Sequence, residues 1–244
     1  MISFILPIYD DWGKTMYNEL FDKDRQKNMR NYFLNNLSKV GVIRSFSKNE
    51  VVDIDFDNYF GIVVDGVVSI NILSSKGNQK LLYVLRPGEI FGEMNYFCGG
   101  STLTVAMVKQ RARISVIHKD ILEEELSKNP NIYRYFMHSI TRKYRIIMLQ
   151  LTNNVFNDSI GRIADALLRF ASCSTGTNKE GKTILDTPFT HQELACNIGC
   201  SRITVTRCLN KFIDEGIITY EGKKIIVEDP IALKQYIDVI EDEG

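Results

Sequence analysis

Residues Thr187–Val227 read TPFTHQELACNIGCSRITVTRCLNKFIDEGIITYEGKKIIV, and local chemistry sets the order of elements within them. Thr190 and Glu193 have the T-x-x-E spacing of a capping box, in which hydroxyl and carboxylate each accept from an orphan amide of the first helical turn. Leu194, Ala195 and Ile198 continue an apolar stripe at helical spacing. Gly199 ends that helix, because a residue without Cβ enters the left-handed conformation at little cost. Ser201 caps a second helix, in which Val205, Leu209, Phe212 and Ile213 share a face. Two short helices on a tight glycine turn make a helix-turn-helix. Gly216 closes the second helix, and the runs IITY and IIV around EGKK predict a β-hairpin wing.

The second helix also has a polar face. Arg202 and Thr206 stand four apart, as do Ile203 and Arg207, so all four project away from the apolar stripe. Arginines near the start of such a helix bond guanine edges bidentately, or phosphates, as reading a major groove requires. Ser201, Thr204 and Lys211 complete the expected DNA-contacting set. The plain alternative is an amphipathic surface helix with solvated arginines. Capping box, glycine turn, arginine pair and wing in succession favour nucleic-acid binding over it.

The 244 residues, 44% of them apolar, are enough for a sizeable core and two domains. No run approaches a membrane span. MISFILPIYDDWG lacks a basic leader and is interrupted by Asp10 and Asp11, which makes a poor signal peptide. Five cysteines (Cys98, Cys173, Cys196, Cys200, Cys208), odd in number and without a C-x-x-C, suit a reducing cytoplasm. The formal net charge is zero, so affinity for DNA has to come from focal positives: Arg202, Arg207, Lys211, and Lys223 and Lys224 in the wing.

From Val42 to His118 short β-rich runs alternate with turn residues: Val51–Phe56, Phe60–Val64, Val67–Leu73, Lys80–Leu85, Leu103–Val108 and Ala112–Ile117. Asp65-Gly66 and Lys76-Gly77-Asn78 stand where hairpin turns belong. This spacing suggests a closed or nearly closed antiparallel barrel. After Asn129-Pro130 a long helix is predicted to about Val155. Its Met137, Ile140, Tyr144, Ile147, Leu151 and Asn154 alternate spacings of three and four, a coiled-coil seam. Ile146, Met148 and Leu149 widen the apolar surface, so the helix contacts more than a twin. Phe156-Asn157-Asp158 is a hinge before a helix over Ile160–Ser172. Upstream, Tyr17–Phe21 and Met29–Leu37 read as short helices. The arm, with the sole tryptophan Trp12, packs on the body and has no assigned function.

HQELACNIGCSRITVTRCLNKFIDEGII resembles the DNA-binding motif of the cyclic AMP receptor protein and fumarate-nitrate regulator (Crp/Fnr) superfamily of bacterial transcription factors. GIVVDGVVSI, LRPGEIFGEMNYF and SIGRIADALLRFAS resemble the same superfamily in the same order, so the resemblance covers the chain from about Asn35 onwards. It implies an α+β fold in three parts. An arm and jelly-roll-like β-roll of the cyclic-nucleotide-binding type occupy 1–128, a long dimerisation helix 129–157, and a winged helix-turn-helix 158–244. It implies a cytoplasmic homodimer that regulates transcription, with palindromic double-stranded DNA, RNA polymerase and a small-molecule effector as partners. No membrane partner, cofactor, metal or catalytic residue is expected. No nucleophile–base pair, carboxylate dyad or metal triad marks an enzyme.

The effector is not expected to be cyclic AMP. In nucleotide-binding relatives, backbone amides, a glutamate, and an arginine before a serine or threonine hold the ligand. Here Gly92, Glu93 and Thr104 match, but Leu103 fills the arginine position, and a phosphodiester loses its charge-assisted partner. Where those relatives hold the adenine, Ile147 and Met148 have nothing to bond a base edge. An iron–sulfur cluster needs four cysteine ligands, and no cysteine precedes Cys98. Haem is unsupported by His118 and His138, and His191, Cys196 and Cys200 are read as helix-turn-helix core instead of a metal site.

KLLYVL and SRITVTR resemble the halorespiration branch of the superfamily, which senses chlorinated aromatics. Lys143 lies beside Ile140 and Tyr144, so it can lean over the β-roll and meet a phenolate or carboxylate. Tyr83 would supply an aromatic wall with a polar tip. The plain alternatives are a solvated flank for Lys143 and a core aromatic for Tyr83. The expected effector set is Tyr83, Gly92, Glu93, Leu103, Thr104, Lys143 and Ile147, for a halogenated or other anionic aromatic. A thiol-redox regulator using Cys98 or Cys173, or a ligand-independent one, is the alternative.

Overall fold

The computed structural model describes residues 22–75, 77–100, 103–172, 174, 176–185 and 190–238. The Tyr17–Phe21 helix, Trp12, Lys76 and Cys173 lie outside them. The described residues form two compact units, 22–150 and 151–238.

The first unit begins with α1 (Lys23–Asn35), capped by the Asp22 carboxylate, which accepts from the Arg25 amide at 2.9 Å. A 3-10 turn (Leu37–Val40) leads to β1 (Val42–Phe46), β2 (Tyr59–Leu73), β3 (Gln79–Leu85) and β4 (Ile90–Phe91). Then come α2 (Glu93–Cys98), β5 (Thr104–His118), α3 (Lys119–Lys128) and α4 (Ile132–Phe156). The strands pair antiparallel in the order β1-β5-β2-β3, with β4 joining β2. Among the described residues the hydrogen-bonded path does not return from β3 to β1, so this is an open β-roll and not a closed barrel.

Several strand expectations change. Asp65-Gly66 is not a hairpin turn, because both flanks pair with the same strand, β5, and β2 runs through. The β2–β5 register slips between Val63, Asp65, Val67 and Val68. Gly66 has φ +83°, and a Cβ there would lie 2.2 Å from the Arg111 carbonyl oxygen, the signature of a bulge. The runs 60–64 and 67–73 are thus one strand, as are 103–108 and 112–117. Val51–Phe56 makes a single bridge, Val51 to Met107. Val42–Phe46 is an edge strand that the reading missed, and four of its five residues are exposed, so no alternation betrayed it. The β2–β3 hairpin at Gly77-Asn78 does form, with Leu73 opposite Gln79.

The bent strands wrap a core that includes Phe46, Val63, Ile70, Leu85, Phe91, Val108 and Ile114. A second cluster joins α1 and α3 to the start of α4: Phe136 meets Phe33 and Phe60, each with ring centroids 5.3 Å apart. Glu89 is buried. It accepts from Gln26 (2.7 Å), Arg30 (2.9 Å) and the Arg86 amide (2.7 Å), with Arg142 at 3.4 Å. Burial opposes its charge, but Arg142 and Arg30 outweigh that and hold the carboxyl below its usual range.

Along α4 the faces separate. Phe136, Ser139, Lys143, Ile146 and Gln150 are buried, whereas Met137, Tyr144, Ile147, Leu151 and Val155 are exposed. No helix among the described residues is long and apolar enough to cross a membrane.

The second unit holds the end of α4, then α5 (Ser159–Ser172), whose amides at Ile160 and Gly161 donate to Asp158 Oδ1 (3.1 and 2.9 Å). There follow β6 (Gly176–Thr177), β7 (Thr183–Ile184), α6 (His191–Ile198), α7 (Arg202–Asp214), β8 (Ile218–Glu221), β9 (Lys224–Val227) and α8 (Pro230–Lys234). The second sheet runs β6-β7-β9-β8, and the β8–β9 hairpin is the wing. Ile163, Leu167, Leu194, Val205, Leu209, Phe212 and Ile218 are buried, and full burial of each large apolar side chain contributes about 1.5–3 kcal/mol.

Candidate functional site

The first unit holds a small cavity partly open to solvent, and the roughly 360 Å³ of empty space about it includes solvent at its mouth. Phe56, Tyr83 and Phe91 are its aromatic walls. Ile70, Met94 and Ala106 add aliphatic surface, and Gly92, Glu93, Asn95 and Thr104 line the rest. Gly92 turns the chain from β4 into α2 at φ +89°, and a Cβ there would press on the Phe56 ring at 2.9 Å. The pleat of β5 sends Thr104 and Ala106 to the same side, while Leu103 just before it is 84% exposed.

Of the expected effector residues, Tyr83, Gly92, Glu93 and Thr104 line this cavity. Leu103 and Ile147 do not: the first faces solvent, and the second lies on the exposed face of α4. Phe56, Ile70, Phe91, Met94, Asn95 and Ala106 were missed. Period two could have found two of these: Ala106 follows Thr104 on β5, and Phe56 continues the alternation of Val52 and Ile54 with Asp53 and Asp55.

Lys143 leans over the β-roll, as its place beside the seam predicted. Its ammonium is not waiting for an anion, however. Nζ donates to the Ile90 carbonyl at 2.7 Å and to Glu93 Oε1 at 2.8 Å, with side-chain exposures of 8% and 4% for the pair. The ammonium also lies 5.5 Å from the Tyr83 ring centre. Burial, then the charge of Glu93, push the Tyr83 phenol well up, so it remains a neutral donor. Two turns along α4, Gln150 Nε2 donates to the Leu82 carbonyl at 2.5 Å. Polar bonds thus fasten the long helix to β3 and to the cavity wall.

The second unit presents the helix-turn-helix. The Thr190 hydroxyl accepts from the Glu193 amide (3.1 Å) and the Thr190 amide donates to Glu193 Oε2 (2.9 Å), completing the capping box. Gly199 ends α6 at φ +80°. On α7, Arg202, Ile203 and Arg207 are exposed, Ile203 at 82%, and Lys223 and Lys224 are exposed at the wing tip.

The other expected contacts are occupied within the protein. Ser201 Oγ accepts from the Thr204 amide at 3.0 Å, and the two hydroxyls lie 2.9 Å apart. Thr206 Oγ1 lies 3.0 Å from the Arg202 carbonyl and 2.8 Å from His191 Nδ1, so its hydroxyl is engaged on both sides. Lys211 lies 3.8 Å from Glu215 and 4.7 Å over the Tyr236 ring. Beneath the motif, Asn153, Asp165, Arg169 and Asn197 are buried together: Asn153 donates to Asp165 (2.7 Å) and Arg169 to Asn197 (3.3 Å).

Residues 43–129 match the model of the cyclic nucleotide-binding domain, and residues 161–236 that of the Crp-like helix-turn-helix domain. The chain is 30% identical over 167 residues to the cAMP-activated global transcriptional regulator CRP of Haemophilus influenzae, covering 68% of this chain and 73% of that protein. It is 29% identical over 168 residues to a CRP-like cAMP-activated global transcriptional regulator of Mycobacterium tuberculosis, covering 69% and 75%. FixK2 from Bradyrhizobium japonicum shares the fold, with a TM-score of 0.71 at 18% identity over 83% of this chain and 100% of that one. With an effector-type β-roll and a winged helix-turn-helix in one chain, this protein belongs to the Crp/Fnr superfamily of transcription regulators.

Proposed function

We propose that the chain works as a cytoplasmic homodimer whose affinity for palindromic DNA is set by a small aromatic effector, halogenated aromatics included, bound in the β-roll cavity. Residues 1–128 sense, 129–157 dimerise and 158–244 read DNA. The observation that carries this reading is the Glu93–Lys143 pair: one partner lines the cavity and the other lies on α4. A ligand that favours one placement of Glu93 thereby favours one placement of the helix, and a population shift needs nothing more.

On the outward side of α4, Met137, Tyr144, Ile147 and Leu151 are exposed at seam spacing, which suits a second copy of the same helix. Two copies would set two recognition helices one DNA turn apart, hence the palindromic site. RNA polymerase is the partner through which such binding alters transcription. Cyclic AMP is a poor fit, because solvent-facing Leu103 leaves its phosphate without a guanidinium. The thiol-redox alternative rests on the exposed Cys98.

The test is a mobility shift on an inverted-repeat duplex selected from random sequence, with and without aromatic effectors and cyclic AMP. The proposal expects ligand-dependent binding by a dimer, no response to cyclic AMP, and no change on thiol blocking. Binding by monomers, activation by cyclic AMP, or loss on thiol blocking would each refute its corresponding part.

A further inference from the structure

We propose that the cavity takes an uncharged, flat, mostly apolar ligand and discriminates against anions, carboxylates and phenolates included. The inference rests on reading this cavity as the effector site. Among its lining residues one is charged, Glu93, and that charge is already compensated by Lys143 at 2.8 Å. The ammonium in turn has both an anion and the Ile90 carbonyl as partners.

An incoming carboxylate would place a second negative charge beside Glu93 in a buried setting, with one ammonium to serve two anions. Displacing Glu93 would strand that carboxylate among Phe56, Phe91 and Tyr83, where an unpaired charge is costly. A cation gains no more, since it would face the ammonium. Leu103, where a guanidinium would have rescued an anion, points to solvent. What remains is the aromatic wall of Phe56, Tyr83 and Phe91 and two neutral polar groups, the Tyr83 hydroxyl and the Asn95 carbonyl oxygen, whose amide nitrogen already donates to Asp57 and the Gly100 carbonyl. They can orient an amide or un-ionised phenol.

The test pairs aromatic carboxylates with their primary amides (benzoate with benzamide, naphthoate with naphthamide, and halogenated versions of each). Thermal protection and calorimetry are measured on the full chain at neutral pH. Amides should bind at least about tenfold tighter than their carboxylates. In Glu93→Gln, which releases Lys143, the order should reverse. Ala106→Leu, which fills the cavity with a side chain of similar character, should weaken the amides.

Carboxylates binding wild type as tightly as amides would overturn the ligand class while leaving the cavity as the effector site. Amides that bind Ala106→Leu undiminished, or a whole panel without effect at millimolar concentration, would overturn the cavity reading and this one with it. Should Glu93→Gln not fold, the wild-type comparison alone decides.

Discussion

Lys143→Met tests whether the long helix is fastened to the cavity by charge. The substitution keeps an unbranched four-atom apolar stem and removes the ammonium. Glu93, with 4% of its side chain exposed, then has no cation, and the Ile90 carbonyl loses a 2.7 Å donor. Removing one partner of a buried pair costs about 3–5 kcal/mol, because the survivor is an uncompensated buried charge. For a unit of this size that lowers Tm by about 10–20 °C. Lys143→Met combined with Glu93→Gln removes both charges at nearly constant shape and should recover all but about 1–2 kcal/mol. The coupling energy from the cycle is then at least about 2 kcal/mol. Urea unfolding followed by circular dichroism measures all four proteins. A single variant costing less than about 1 kcal/mol, or a double variant that is merely additive, would show that the pair is not holding the helix.

Further outcomes follow from other parts of the molecule. Thr190→Ala removes one half of the capping box and should destabilise the second unit by about 1 kcal/mol, measured by the shift in its unfolding transition. Ile147→Glu with Leu151→Glu puts charge into the exposed apolar stripe of α4, and sedimentation should find the proposed dimer in the unsubstituted protein and monomers in this variant. Glu89 has its folded pKa below the ordinary 4.5, so its stabilisation is complete at neutral pH and lost as pH falls from about 4.5 through the folded value. Glu89→Gln should therefore flatten the dependence of unfolding free energy on pH in that acid window. Arg207→Ala should abolish selective DNA binding, and Ile203→Glu should move preference at one symmetric base pair from A·T toward G·C by about 1–3 kcal/mol, read by selection on random duplexes.

The parts of this protein legible in the sequence are those governed by neighbours a few residues away. Thr190 with Glu193, Gly199 and Ser201 set the helix-turn-helix because capping and left-handed turns are local chemistry. The seven-residue rhythm of Met137, Tyr144 and Leu151 marked the outer face of α4 for the same reason. Position alone left Lys143 either over the roll or on a solvated flank, and its 6% exposure decides for the roll. What it touches could not be read from position either, since Glu93 stands fifty residues earlier and reaches it through the turn at Gly92. The same limit explains Asp65-Gly66, which has the local signature of a hairpin but becomes a bulge because β5 pairs with both of its flanks. Phe56 alternates with Asp53 and Asp55 as a strand residue would, yet nothing local says that it faces a cavity, and Thr206, polar and well placed on the recognition helix, is occupied by His191 from the preceding helix. Contacts that close long loops leave no trace in a short window, and whether a charge is available for a ligand depends on those contacts.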